Sequence, residues 1–166
     1  MTDHEYKKLD QSEFREAMSR LGASVHIIAS DGPEGRAGAT VSSVCSVSDT
    51  PPTLLACLNR QSYVNTLIKK NKVFTINTLV HNHTEISDAF AGRGDLPMEE
   101  RFALGEWMDL ATGAPALSNA RVSFDCQLMQ VSEVGTHSVM FGKVVAVHYG
   151  FKNRALIYMD RDYHAI

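Results

Sequence analysis

Residues 38–62 read GATVSSVCSVSDTPPTLLACLNRQS. Seven hydroxyl side chains, Thr40, Ser42, Ser43, Ser46, Ser48, Thr50 and Thr53, are threaded between Val41, Val44, Val47 and a Pro-Pro pair. Successive side chains of a strand point to opposite faces, so this alternation predicts a half-buried strand over 37–48. One face would pack on a core while the other presents hydroxyls and backbone N–H groups. Pro51-Pro52 ends the strand, and the continuously apolar run 53–58 predicts a short strand buried on both faces. Ser62 then stands where it can cap a helix. The whole stretch suits a polar, anionic small molecule held with few fixed charges.

Working outward, 10–21 reads as a helix. Asp10 or Ser12 can cap it, and Phe14, Ala17, Met18 and Leu21 share one face. SVHIIAS (24–30) predicts a strand, and DGPEGR (31–36) a turn that makes a hairpin with 37–48. A helix from Ser62 to about residue 70 ends near Asn71, and 73–79 alternates as a strand. Residues 84–91 look helical with Thr84 as cap, GRGDLPM (92–98) reads as the most mobile loop, and 99–104 as a helical turn. Residues 107–110 are a weak strand. Val122, Phe124, Cys126 and Leu128 alternate with polar neighbours, Gly135-Thr136-His137 breaks the pattern, and 138–149 and 155–159 complete the strands. Strands at near-regular spacing with short helical insertions predict an antiparallel barrel, mainly β, as a single domain over 1–166. No GxGxxG follows a strand, which disfavours a βαβ dinucleotide fold.

Composition narrows the function. With 166 residues, 44% hydrophobic and 21% charged, the chain resembles an ordinary globular domain. A net charge of −3 with scattered Lys and Arg argues against nucleic acid or an anionic membrane as partner. No stretch approaches the roughly 20 apolar residues of a membrane span, and the N-terminus lacks a signal-peptide core, so a cytoplasmic location is expected. Cys45, Cys57 and Cys126 form no CxxC pair and read as small buried hydrophobes. His81-Asn82-His83 lacks a third ligand, so no metal is expected. No GxSxG elbow is present to support hydrolase chemistry.

A phosphate can be bound without a P-loop by convergent amides, hydroxyls and one guanidinium. Ser46 and Ser48 precede the prolines, Asn59, Arg60 and Ser62 follow the next strand, and Ser62 opens a helix. These groups could converge if the two strands are neighbours. The bland reading is a Ser-rich edge strand beside an ordinary helix cap. His137, in VGTHSVMF, could equally be a solvent-facing or structural histidine.

Taken in order, GATVSSVCSVSDTPPTLLACLNRQS, VFTINTL, ISDAFAG, MEERF, VSFDCQ, VGTHSVMFG and LIYMDRDYH resemble the short-chain flavin reductase family. Its members are the reductase components of two-component flavin monooxygenases. The resemblance spans about residues 12–164. It implies an FMN-binding split β-barrel, a six-stranded antiparallel Greek-key barrel, forming a homodimer. FMN or FAD would be the flavin, and NADH or NADPH the hydride donor. A separate monooxygenase would receive the reduced flavin. By the same resemblance, Thr40, Val41, Ser42, Ser43, Cys45, Ser46 and Ser48 lie along the isoalloxazine and ribityl chain. Asn59, Arg60 and Ser62 help hold the phosphate, Phe90 lies beside the pocket, and Tyr163 belongs to a closing C-terminal segment. His137 corresponds to the histidine of a Gly-Asp-His motif that meets the nicotinamide, here Gly-Thr-His, and is the one residue expected to serve catalysis. The missing carboxylate removes that histidine's obvious orienting partner.

Hydride transfer needs no general acid, and both reacting centres belong to cofactors. That accounts for the lack of a triad or carboxylate pair. Rival readings are an FMN-retaining oxidase resembling the pyridoxamine-phosphate oxidases, which use more Arg and Lys around phosphates, and a non-catalytic flavin-binding module.

Overall fold

In the computed structural model, which describes residues 8–166, helix α1 (Gln11–Ser19) and strand β1 (Ala23–Ser24) lead into β2 (His26–Ser30). Every residue of β2 is buried, because its two faces serve two different cores. Ile28 points into the barrel with Leu54, Leu58, Leu67, Phe74, Ile76 and Met140. Ile27 and Ala29 point the other way, against Leu79, Ile86, Phe90, Phe102, Leu117 and Leu156.

The predicted strand 37–48 is two strands, β3 (Ala37–Val41) and β4 (Val44–Asp49), with a corner at Ser42-Ser43. They occupy opposite edges of one antiparallel sheet. In that sheet β3 pairs with β2, which pairs with β6 (Val73–Thr78). Next come β9 (Val122–Val134), β10 (His137–Tyr149) and β5 (Pro52–Asn59), and finally β4. The corner therefore carries the chain across the open side of a rolled sheet. Counting the bent β3–β4 segment as one strand leaves the six strands of a split barrel. Helix α2 (Tyr63–Asn71) plugs the barrel with Val64, Leu67 and Ile68.

The expected alternation is not seen: in β3 Ala37, Gly38 and Val41 are buried with Ala39 and Thr40 half-buried, and in β4 Val47 is 48% exposed. Likewise β5 buries Leu54, Ala56 and Leu58 on one face and only half-buries Leu55 and Cys57 on the other, so the two-sided burial expected for 53–58 is one-sided. Cys126 is buried as expected, but Cys45 is exposed because it sits on that uncovered edge.

The second core is closed by three further pieces. They are α3 (Thr84–Phe90), α4 (Met98–Phe102) and a hairpin of β7 (Trp107–Asp109) with β8 (Pro115–Leu117). Asn77 fixes that hairpin to the sheet, its Oδ1 accepting from Leu117 N at 2.8 Å and Ser123 Oγ at 2.7 Å. The chain ends in β11 (Leu156–Met159) and β12 (Asp162–Ala165), which form a small sheet with β1. The turn between them puts Asp160 and Arg161 at φ 51° and 62°, a turn without glycine, so β12 carried no turn signal in the sequence.

Helix caps differ from expectation in two places. His83 rather than Thr84 is the N-cap of α3, and neither it nor Asp10 of α1 caps through its side chain. Ser62 does cap α2, accepting from Asn65 N at 3.2 Å. Among the described residues no helix is long and apolar enough to cross a membrane.

Candidate active site

Edge strand β3 has a ladder partner on one side only, so alternate backbone N–H and C=O groups on its free side face a cleft of about 570 Å³. Gly38, Ala39, Thr40, Val41 and the corner Ser42-Ser43 form one wall. The end of β5 and the first turn of α2 form another, through Cys57 to Asn59 and Ser62 to Val64. Phe90 to Gly92 from α3, Met98 and Arg101 from α4, and His137 at the start of β10 complete it.

Local chemistry sets each wall. Thr40 Oγ1 donates to Ser87 O at 2.6 Å, clamping α3 along β3. Gly38 is required beneath it: a Cβ there would lie 2.7 Å from Phe90 Cε1 and 3.1 Å from Ile28 O. Phe90 is held in turn by edge-to-face contacts with Phe102 and Trp107, at 5.1 and 5.8 Å between centroids. The turn before α2 is self-bonded, Gln61 N donating to Asn59 Oδ1 at 2.9 Å and Ser62 Oγ to Asn59 O at 2.8 Å. With Asn65 N capped by Ser62, this leaves the amides of Tyr63 and Val64, which have no acceptor within the helix, at the cleft.

No carboxylate lines the cleft among the described residues, and Arg101 is its one guanidinium. Arg101 Nε donates to Leu96 O at 2.7 Å, which fixes the plane of the group. Helix-end amides, hydroxyls, exposed strand backbone and one cation make a donor-rich wall suited to an anionic ligand.

The structure brings Thr40, Val41, Ser42, Ser43, Asn59, Ser62, Phe90 and His137 to this cleft. It does not bring Cys45, Ser46 or Ser48. Cys45 faces a groove under α1, Ser46 lies outward on β4, and Ser48 Oγ accepts from Thr50 N at 3.1 Å within the turn that follows. Arg60 turns away, pairing through Nε with Glu133 at 3.2 Å and donating to Gly135 O at 3.3 Å. Tyr163 lines a smaller side cavity of about 200 Å³ shared with Thr40, Val41 and Ser42. Its hydroxyl donates to Asp88 Oδ1 at 2.8 Å and lies 2.9 Å from Ser87 Oγ, and burial, reinforced by Asp88, raises its pKa.

Gly38, Cys57, Tyr63, Met98 and Arg101 line the cleft without having been singled out from the sequence. Only the run from Gly38 carried a signal, being part of the hydroxyl-rich strand.

His137 is exposed, with Nδ1 2.8 Å from Thr136 Oγ1. The Thr136 hydroxyl thus contacts the ring from the position where a Gly-Asp-His motif carries its carboxylate.

A model of the flavin reductase like domain matches residues 18–166, nearly the whole chain. The chain belongs to the flavin reductase-like domain family. A curated relative, the FMN reductase (NADH) RutF of Pantoea ananatis, is 51% identical over 95% of this chain and 82% of its own length. That of Escherichia coli O157:H7 is 48% identical over 95% of both chains. The solved structure of a candidate flavin reductase from Haemophilus somnus superposes with a TM-score of 0.90 at 39% identity, over 95% of this chain and all of that one. The reductase component of a bacterial two-component tryptophan halogenase, at 23% identity and a TM-score of 0.87, shares the fold.

The cleft's size and lining suit a flavin. Its volume falls within the roughly 300–1,000 Å³ of small-molecule sites. A flavin mononucleotide presents an anionic phosphate and a row of ribityl and carbonyl oxygens. The acid-free wall of amides, hydroxyls and Arg101 matches both, so the residues fit the group.

Proposed function

We propose that this protein is an NADH-dependent flavin reductase that reduces FMN and hands the reduced flavin to a separate flavin-dependent monooxygenase. The observation that carries the reading is the acid-free, hydroxyl-lined cleft along edge strand β3, in a chain of the flavin reductase-like family. A bound flavin would supply the hydride acceptor and a reduced nicotinamide the donor, so the protein's work is positioning and electrostatics. Backbone N–H groups of β3 and the Ser42-Ser43 corner stabilise charge gained by the isoalloxazine carbonyl edge. Arg101 and the first amides of α2 hold the phosphate. His137, oriented by Thr136, positions the carboxamide of the nicotinamide. FAD shares the isoalloxazine and is accepted as an alternative flavin.

The cleft has one cation and many neutral donors, which favours exchange of the flavin over permanent retention. The surface beside it supports a homodimer. Helix α1 buries none of its residues, and Phe14, Met18 and Leu21, 53%, 47% and 59% exposed, overhang Val44, Leu55 and Tyr158 next to His137. A second copy covering this groove would bury that apolar surface. The three free cysteines suit a reducing, cytoplasmic setting.

The test is multiple-turnover oxidation of NADH, followed at 340 nm, by purified protein with excess free FMN. Sustained loss of NADH is expected. A protein that binds FMN yet oxidises no NADH would leave only a flavin-binding module.

A further inference from the structure

A second groove, of about 560 Å³, adjoins the cleft across Asn59 and is lined by Arg60, Gln61, Asn65, Thr66, Lys69, Gly135 and Thr136. Its floor is a fixed charge cluster. Arg60 Nε and Lys69 Nζ lie 3.2 and 2.6 Å from the two oxygens of Glu133. Lys69 also donates to the buried Ser138 hydroxyl at 3.0 Å, and Ser138 donates to Glu133 at 2.7 Å. Lys69, Ser138 and Arg60 hold the Glu133 carboxyl below its usual pKa, so it stays charged. Two cations share one carboxylate, which leaves the groove net positive and its cations pre-oriented by that shared partner. The Gln61 side chain and the Thr66 hydroxyl are exposed along the same wall.

The tip of the β9–β10 hairpin separates groove from cleft. Thr136 faces the groove while its hydroxyl contacts His137 in the cleft, and Asn59 lines both. A ligand whose reactive ring lies beside His137 therefore has a short path over Asn59 and Thr136 to a second, positively charged seat.

We propose that this groove binds the adenosine diphosphate half of a dinucleotide whose reactive half occupies the cleft. Resting on the reductase reading, this makes Arg60 a dinucleotide-recognising residue and not a holder of the FMN phosphate. Its guanidinium offers a planar donor edge to a diphosphate, and Lys69 a point charge beside it. NADH and FAD both carry this half, and FMN does not.

The experiment compares wild type with Arg60→Gln, which removes one cation, and Thr66→Glu, which sets a carboxylate on the groove wall at an exposed position. Each is assayed with NADH and FMN, with NADH and FAD, and with N-benzyl-1,4-dihydronicotinamide and FMN, a donor lacking the adenosine diphosphate half. Loss of one charge-assisted contact predicts a rise in KM for NADH of roughly tenfold in both variants, with kcat retained. Inhibition by ADP, competitive with NADH in wild type, should weaken in parallel. Kinetics with the truncated donor and FMN should not change. A rise in KM confined to FAD would assign the groove to the flavin dinucleotide and support the same chemistry. Unchanged constants for both NADH and FAD in both variants would overturn the proposal, with turnover of the truncated donor showing that the reductase reading survives. If wild type turns over no donor at all, the reductase reading itself fails.

Discussion

The Thr136 hydroxyl stands 2.8 Å from Nδ1 of His137, the only side-chain hydrogen bond found for that ring among the described residues. When Thr136 donates, Nδ1 is the acceptor and the tautomer is the one with its N–H at Nε2, the ring nitrogen left for a ligand in the cleft. His137→Ala should lower kcat/KM for NADH by about tenfold, the value of one well-placed hydrogen bond, and leave the Kd for FMN alone. Thr136→Val should produce a smaller loss of the same kind, and Thr136→Ser should restore it. Steady-state kinetics with all three variants check this. Unaltered KM and kcat in His137→Ala would remove the histidine from the mechanism.

Arg101 and Arg60 divide between two cavities, and flavin affinity should report the division. Arg101→Ala is expected to weaken FMN binding by about tenfold to a hundredfold, the range for a charge-assisted contact to phosphate. Arg101→Lys should recover part of the loss, because a point charge replaces a fork. Arg60→Gln should leave the FMN dissociation constant within about twofold. Flavin fluorescence titration would measure all three, and an effect of Arg60→Gln equal to that of Arg101→Ala would sink the assignment.

Gly38 and Phe90 meet too closely for a methyl group between them. Gly38→Ala should destabilise the protein by about 1–3 kcal/mol, the usual cost of overpacking, because Ile28 O on the other side cannot yield. The double variant Gly38→Ala with Phe90→Leu should lose less than the sum of the two single changes. Urea unfolding of the four proteins closes that cycle, and strict additivity would contradict it.

His26 is buried, with Nδ1 3.0 Å from Thr78 Oγ1, and burial pushes its pKa down from the ordinary imidazole value of 6.5 to about 4. A histidine kept neutral in the folded state favours folding above its unfolded pKa. That contribution falls as pH drops from about 6.5 toward 4, by roughly 3 kcal/mol in all. His26→Gln should flatten the stability profile across this window. Chemical denaturation at several pH values is the measurement, and a slope unchanged by the substitution would show that other groups control acid unfolding.

Much of the barrel was legible because its signals are local. SVHIIAS announced a strand by its short apolar run, VFTINTL and the stretch from Val122 by their alternation, and Ser62 announced its helix by cap chemistry. Misreadings arose where the deciding partner is remote. Nothing in Val41-Ser42-Ser43-Val44 names a corner between opposite sheet edges, because the same mixture of valines and hydroxyl residues runs on either side of it. Arg60 was expected beside Asn59 and Ser62 at the phosphate, and its turn toward Glu133 could not be seen locally because that partner comes from a strand far along the chain. Arg101 sits in an unremarkable MEERF helix, and only the packing of α4 against α3 brings it to the cleft. The apolar stripe of α1 was read correctly as a stripe, but this chain alone does not bury it.

By itself the sequence determined the strands, the helix after Ser62 and a donor-rich, acid-poor ligand wall, all set by side-chain period and type over short windows. Tertiary structure alone decided that Ser42-Ser43 is a corner, that Arg101 and not Arg60 shares the cleft with His137, and that a second positive groove lies next to it. Those facts depend on which distant strand edges meet when the sheet rolls. Closing a loop costs free energy that grows only slowly with its length, so no local pattern needs to mark the meeting.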